Sequence, residues 1–145
     1  VSVEMGPARV GRQQEFTVGS ERLQAVLVSL GNPHAVFFGE ASRERAAAMG
    51  PAIERSVPGG VNAGFAAVRD GGLDLWVWER GAGLTEACGT GACAAAAVAG
   101  GLLPAGMPLE VRLSGGSLSV QVHADLVRVT MRGPAARVFE GETDL

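Results

Sequence analysis

The feature that most constrains the fold is an uninterrupted run of small apolar residues behind a glycine-punctuated turn. The run ACAAAAVA occupies residues 92–99 and directly follows CGTG at residues 88–91. Glycines and a proline within residues 100–104 end it, so the pattern predicts a helix after Thr90. Because this helix has no polar face, it should be surrounded by protein on all sides, and its small side chains let strands approach closely.

Segments with strand patterns lie on both sides of this helix. Turns at Asp70-Gly71-Gly72 and Gly115-Gly116 predict two hairpins. The predicted strands cover residues 22–30, 34–38, 61–69, 73–80, 109–114 and 117–123, with further candidates in DLVRVTMRG (125–133) and PAARVFEG (134–141). A second helix, capped by Ser42 and interrupted by Gly50 and Pro51, fits residues 42–56. The expected class is α+β, a curved, largely antiparallel half-barrel sheet wrapped around a central apolar helix.

Composition narrows the function. The 145 residues fit one domain, with 47% hydrophobic residues, net charge −3, and no linker or repeat. All 12 basic residues are scattered arginines, which argues against nucleic acid as a partner, and no apolar run is long enough to span a membrane. Two cysteines and no signal peptide favour a cytoplasmic protein. With no lysine, the chain cannot hold pyridoxal phosphate as a Schiff base. The absence of a starting Met, in a chain that opens in strand-like sequence, predicts a piece of a longer protein.

The turn before the apolar helix carries the clearest chemical signal. Backbone N–H groups of Gly89, Thr90 and Gly91 open the helix and predict a site for a carboxylate or phosphate. The same amides predict a lowered pKa for Cys88 and a thiolate that can take a proton. The alternative is that Cys88 is a small buried hydrophobe, which is the interpretation we favour for Cys93 in mid-helix.

Other motifs are weaker. Gly89, Gly91 and Ala94 formally match the dinucleotide-binding pattern, with Glu110 at the acid position, but no alternating βαβ pattern follows. No Gly-Lys-Ser/Thr phosphate loop is present, and the two cysteines and two histidines form no cluster with zinc-ligand spacing. Polar residues also stand at strand ends, where the plain alternatives are ordinary turns and a surface ion pair: Asn32, His34, Asn62, Glu79 and Arg80.

Together these motifs resemble the diaminopimelate epimerase family. GNPHAV (31–36), PGGVNAGF (58–65), ERGAGLTEACGTGACAAA (79–96) and GPAARVFEGE (133–142) are similar to that family's motifs in order and spacing. The resemblance implies a cofactor-independent epimerase of lysine and peptidoglycan precursor synthesis, whose small-molecule amino-acid substrate is LL-2,6-diaminopimelate and whose product is the meso form. It further implies two similar domains, of which residues 1–145 are the C-terminal one. On this resemblance, the N-terminal domain with a second catalytic cysteine is expected to be the part that residues 1–145 do not include.

The resemblance also implies roles for individual residues. Cys88 becomes one of two acid/base thiols, and Gly89, Thr90 and Gly91 hold the substrate α-carboxylate. Glu79 and His34 lie near the reacting centre. The distal amino-acid end is held by three side chains, with Arg80 pairing its carboxylate: Asn32, Asn62 and Arg80. Glycines stand at 59 and 60, where the family often has polar residues.

Several alternatives stay open. A proline or hydroxyproline racemase shares the two-cysteine logic but needs no distal clamp. The phenazine-biosynthesis isomerase type shares the fold without this cysteine, and Cys88 argues against it. The chain could also be a folded half-protein with no turnover of its own, or a homodimer that brings two copies of Cys88 together.

Overall fold

One open mixed sheet and two helices make up the protein in a computed structural model, which describes residues 1–100, 106–124 and 128–143. The two helices within these ranges are α1 (Arg43–Ser56) and α2 (Gly89–Ala99). The described strands are β1 (Ser2–Glu4), β2 (Arg9–Val18), β3 (Glu21–Ser29), β4 (Pro33–Phe38), β5 (Asn62–Arg69), β6 (Gly72–Glu79), β7 (Gly83–Thr85), β8 (Leu109–Leu113), β9 (Gly116–Val122) and β10 (Val129–Arg132). Neither helix is long and apolar enough to cross a membrane.

The sheet is antiparallel except at two places. Its strand order is β1-β10-β9-β8-β6-β5-β4-β3-β2, and the short β7 pairs with β6 beside this path. The pairs β4–β5 and β6–β8 are parallel. Parallel neighbours need a crossover connection, and α1 lies in the first of these crossovers while α2 lies in the second.

The sheet separates two apolar cores. Alternate residues of β6 serve both, since Leu73, Leu75 and Val77 pack with α2, while Trp76 and Trp78 pack in the core of α1. This alternation follows from the two-residue period of a strand and places the helices against opposite faces. The fold therefore has the α+β class that the sequence predicts.

Helix α2 is buried as its composition predicts. Seven consecutive residues, Gly91 to Ala97, are buried, and α2 is in contact with strands β3 to β6 and β8 to β10. The helix begins at Gly89, two residues earlier than expected, with Cys88 as its N-cap. Gly100 is its C-cap, and the expected stop signals at Gly101 and Pro104 lie outside the described residues.

Helix α1 differs from the expectation at its centre. Ser42 caps it as predicted, with Oγ accepting from the Arg45 N–H at 3.2 Å. The predicted interruption is wrong, because α1 continues through Gly50 and Pro51 to Ser56. Gly50 lies against Trp78, and packing of the buried Ile53 keeps the helix intact despite the hydrogen bond that proline cannot make.

Most predicted strands are found within one or two residues of their expected ends. The first hairpin turn is Asp70-Gly71, both with positive φ, and Gly72 already belongs to β6. In residues 125–133 the strand is β10, and positions 125–127 lie outside the described residues. The strand predicted at 134–141 is wrong: this segment forms no ladder, and Val138 and Phe139 are 89% and 83% exposed. The sequence pattern did not predict β2 and β7.

Candidate active site

The polar residues predicted to act together converge on one edge of the sheet. His34 and Asn62 are register partners near the starts of the parallel strands β4 and β5. Strand β6 runs antiparallel to β5, so its last residue, Glu79, and the following Arg80 reach the same edge. Cys88 arrives there at the start of α2. The topology therefore assembles residues that are far apart in sequence.

Cys88 is joined to the first turn of α2. Its Sγ accepts from the Gly91 N–H at 3.3 Å, which gives the cysteine the role of a side-chain N-cap. Glycine at 91 suits a tight contact, because a Cβ there would lie only 3.0 Å from Sγ and 3.2 Å from Val77 Cγ2. The amides of Gly89 and Thr90 have no acceptor within a helix and open the same turn.

A chain of hydrogen bonds links the sulfur to His34. Thr90 Oγ1 lies 3.8 Å from Cys88 Sγ and accepts from Asn32 Nδ2 at 3.2 Å. Asn32 Oδ1 lies 3.0 Å from His34 Nε2. With its amide nitrogen turned to Thr90, Asn32 offers only an oxygen to the imidazole, so His34 donates from Nε2. The Thr90 hydroxyl keeps its own proton, so either Thr90 Oγ1 or the Cys88 thiol can be the donor between them.

His34 is held neutral at physiological pH. The residue is 2% exposed, so its imidazole is not the solvated side chain of a plain turn. Burial, with a smaller contribution from the charge of Arg80, lowers the pKa of His34 to about 4. A neutral imidazole protonated on Nε2 matches the hydrogen bond to Asn32.

The thiol of Cys88 differs from the sequence expectation. Burial raises its pKa above the ordinary value, and the negative charge of Glu79 acts in the same direction. The hydrogen bonds from Gly91 and Thr90 lower the pKa but do not outweigh burial, because only 6% of the residue is exposed. The predicted lowering is therefore wrong for this chain, and Cys88 is a protonated thiol near neutral pH. Burial raises the pKa of Cys93 to about 12, in line with a packing role.

Asn62 and Arg80 form a second linked group. Asn62 is 4% exposed and donates from Nδ2 to the Pro33 carbonyl at 2.9 Å. Its Oδ1 accepts from the Arg80 N–H at 2.8 Å. The Arg80 side chain is exposed and donates from Nη1 to the Gly59 carbonyl at 3.1 Å. One asparagine thus connects β4 to the loop that carries the guanidinium.

Glu79 is not in an ion pair with Arg80. Its Oε1 accepts from Thr85 Oγ1 at 2.5 Å, across the β6–β7 pair. Alternation along β6 puts Glu79 on the α2 face together with Val77, which explains its electrostatic effect on Cys88. The plain alternative of a surface ion pair at 79–80 is wrong.

Sequence reasoning did not single out three residues that contact this group. Thr85 fixes Glu79, and it lies inside the most specific motif run, so its hydroxyl could have been noticed there. Glu54 accepts from the Trp78 indole and from the Gly81 N–H, and nothing in a helical pattern marks it. Met131 would contact a Cβ at Gly89 at 3.2 Å, a closeness that only the folded chain reveals.

The site offers hydrogen-bond donors for an organic anion, and its described residues form no cluster of metal ligands. No group of three or more His, Cys, Asp or Glu side chains gathers anywhere in residues 1–100, 106–124 or 128–143. What converges instead is a thiol, two first-turn amides, a neutral imidazole, a carboxylate and a guanidinium. Such a set can bind a carboxylate at the helix start and move a proton at the sulfur.

Solved structures define the class to which this fold belongs. A predicted epimerase from Pseudomonas aeruginosa matches with a TM-score of 0.64 and 19% identity, over 90% of this chain and 53% of that one. A hydroxyproline epimerase from Agrobacterium vitis, with bound trans-4-hydroxy-L-proline, matches with a TM-score of 0.67 and 18% identity, over 90% and 49%. The sheet and helices therefore have the fold of epimerases and racemases.

The sequence comparison is more specific. The family model for diaminopimelate epimerase matches residues 26–138, and the chain belongs to the diaminopimelate epimerase family. Diaminopimelate epimerases from Pseudomonas syringae pv. tomato and Laribacter hongkongensis are 39% and 41% identical to it over its whole length. That of Bacillus licheniformis is 41% identical over 96% of the chain. The chain spans 50% to 59% of the length of these relatives.

Proposed function

We propose that this chain is the C-terminal domain of a diaminopimelate epimerase, an isomerase of lysine biosynthesis that converts LL-2,6-diaminopimelate to the meso form without a cofactor. The observation that carries the proposal is Cys88 as the N-cap of α2, with the Gly91 N–H on its sulfur. Relatives carrying this enzyme's name align with the whole chain at about 40% identity, which supports the same assignment.

In this proposal Cys88 serves as the proton donor while it is a protonated thiol. Because its pKa is raised, the sulfur begins as a thiol. A second cysteine, supplied by the N-terminal domain, removes the α-proton from one face, and Cys88 delivers its own proton to the carbanion from the other. The Cys88 thiolate that results accepts from the Gly91 N–H and the Thr90 hydroxyl, which stabilise its charge. The reverse reaction exchanges the roles of the two sulfurs.

The helix start would hold the substrate α-carboxylate. The amides of Gly89 and Thr90 have no intrahelical acceptor, whereas that of Gly91 is occupied by the sulfur. The carboxylate site would therefore contain two backbone amides instead of the three that the sequence predicts, because the Gly91 N–H donates to the sulfur of Cys88. Negative charge that spreads into the carboxylate as the carbanion forms meets these two amides and the positive end of the α2 dipole.

The distal end of diaminopimelate would lie against Arg80. The Arg80 guanidinium is exposed and can pair with the distal carboxylate. Asn62 holds the Arg80 backbone, because its Oδ1 accepts from the Arg80 N–H. Asn32 and Asn62 each have a second amide N–H beyond the bonds described, and in this proposal these groups donate to acceptors of the distal amino acid. A clamp of this kind favours a substrate with two charged ends over a proline-type substrate.

The proposal is tested by replacing the sulfur in the two-domain protein, made from this chain and the domain that would precede it. Cys88→Ser should lower kcat for epimerisation of LL-diaminopimelate by about 1000-fold or more, because a hydroxyl is a far weaker acid than a thiol. Cys93→Ser is the matched control on the same helix and should keep most of the activity in folded protein. An unchanged rate in Cys88→Ser rejects the role of Cys88, and turnover of trans-4-hydroxy-L-proline alone favours the racemase alternative.

A further inference from the structure

Glu54 on α1 makes two hydrogen bonds to the strand and loop that carry Arg80. Its Oε2 accepts from the Trp78 indole Nε1 at 2.7 Å, and its Oε1 accepts from the Gly81 N–H at 2.9 Å. These bonds lower the pKa of Glu54, the indole contact most strongly, so the side chain is a carboxylate at neutral pH. Both of its oxygens are therefore used to hold residues on either side of Arg80.

The backbone of Arg80 is fixed by two side chains in succession. Asn62 Oδ1 takes the Arg80 N–H, and Glu54 takes the next N–H along the chain, that of Gly81. Gly81 has a φ of 78°, a left-handed conformation that turns the chain immediately after Arg80. The carboxylate thus anchors the turn that aims the guanidinium.

The side chains of Arg80 and Glu54 both lie close to Gly60. A Cβ on Gly60 would lie 2.7 Å from Arg80 Cδ and 3.6 Å from Glu54 Cγ. Arg80 does not pair with Glu54, because its Nη1 donates to the Gly59 carbonyl at 3.1 Å and the carboxylate is occupied by neutral donors. The Arg80 charge contributes to the lowered pKa of Glu54 without forming an ion pair, so the guanidinium can still bind a ligand while Glu54 holds the backbone.

From this arrangement we propose that Glu54 is a positioning residue for the distal carboxylate of the substrate, acting through Arg80 without touching the substrate. The inference rests on the proposed function, which supplies the dicarboxylic substrate. Glu54 lies on the α1 face of the sheet, away from the sulfur, so its loss should weaken binding and leave proton transfer intact. Uniform loss of binding raises KM and leaves kcat unchanged.

The first measurement follows the loop in the 145-residue chain. Glu54→Gln keeps the side-chain shape but gives one of the two donors an NH₂ group in place of an acceptor. Amide exchange at Gly81 should become about tenfold faster, and the Trp78 indole resonance should shift, as expected when a charge-assisted hydrogen bond is lost. Glu44→Gln, an exposed position in the first turn of the same helix, should change neither signal. Unaltered exchange and an unaltered indole resonance in Glu54→Gln overturn the inference.

The second measurement is the kinetic split in the two-domain protein. Glu54→Gln should raise KM for LL-diaminopimelate about tenfold with kcat within about twofold of the wild type. An active wild type with the same KM in Glu54→Gln overturns the positioning role, and so does a variant that loses kcat alone. A folded wild type without epimerase activity rejects the proposed function, and the inference falls with it, so the two failures are distinguished by the wild-type rate.

Discussion

At the level of single residues, the site is governed by burial in competition with hydrogen bonds. The sulfur of Cys88 accepts from the amide predicted to acidify it, yet the raised pKa shows that desolvation outweighs that bond. Burial also disfavours the charged form of the neighbouring His34. Because that form is a cation, burial lowers the pKa of His34 and keeps the imidazole neutral. Two titratable groups in one hydrogen-bonded chain are thus both uncharged near neutral pH.

The raised pKa of Cys88 predicts slow alkylation. In the 145-residue chain the rate with iodoacetamide should rise about tenfold per pH unit up to at least pH 9, because only the thiolate reacts. Burial is the main cause of the raised pKa, and Glu79→Gln removes the smaller contribution of the Glu79 charge, so it should accelerate labelling a few-fold at pH 8. Glu86→Gln, at an exposed position two residues before the cysteine, is the matched control. A rate that is already constant above pH 8 would contradict the raised pKa.

Buried His34 predicts that stability depends on pH. Its folded-state pKa of about 4 lies below the ordinary 6.5, so the unfolded state binds more protons between these values. The free energy of unfolding should therefore fall as the pH drops from 6.5 to 4, by up to about 3 kcal/mol from this residue. Urea unfolding of the wild type and His34→Gln measures the effect, and the variant should lose that part of the slope. Parallel curves for the two proteins would show that His34 does not cause it.

At the level of elements, close packing explains where local sequence rules failed. Gly50 and Pro51 are helix breakers by propensity, yet α1 includes both because Gly50 allows the helix to lie directly on Trp78. A propensity rule has no information about a tryptophan that is 28 residues further along the chain. The strand expected at 134–141 failed for a related reason, since no described strand pairs with it.

The contact at Gly50 predicts the sign of a substitution. Gly50→Ala improves helix propensity by about 1 kcal/mol, but the new Cβ would lie 2.4 Å from Cβ and Cγ of Trp78. Because both atoms are close to the backbone and cannot swing away, overpacking should dominate, with a net destabilisation of about 1–3 kcal/mol. Chemical denaturation measures the loss, and Ala48→Gly at an exposed position of α1 calibrates the propensity contribution. A stabilised Gly50→Ala would mean that the helix is free to move off the sheet.

At the level of the whole molecule, composition and periodicity were enough for the architecture. An eleven-residue helix without a polar face has to be enclosed, and alternating hairpin sequences provide the enclosing sheet. The order of the strands was not predictable, because the two parallel pairings depend on crossovers that leave no local pattern. That strand order brings Asn62, Glu79 and Cys88 to one edge of the sheet. The sequence motifs could therefore indicate which residues form the site, but the hydrogen bonds between them could not be predicted.

The chain as a unit is expected to have no turnover of its own. In the proposed mechanism the second cysteine removes the α-proton of LL-diaminopimelate and Cys88 faces the opposite side of that carbon, so the 145-residue chain alone should leave the α-hydrogen essentially unexchanged in D₂O. Mass spectrometry of the recovered amino acid measures deuterium uptake, and sedimentation in the same buffer gives the oligomeric state. Adding the N-terminal domain should restore deuterium uptake with inversion to the meso form, whereas adding it to Cys88→Ser should give no meso product, which chiral chromatography of the recovered amino acid measures. Full turnover by a monomeric chain would contradict the two-base mechanism, and turnover confined to a dimer would point to two copies of Cys88 facing one substrate.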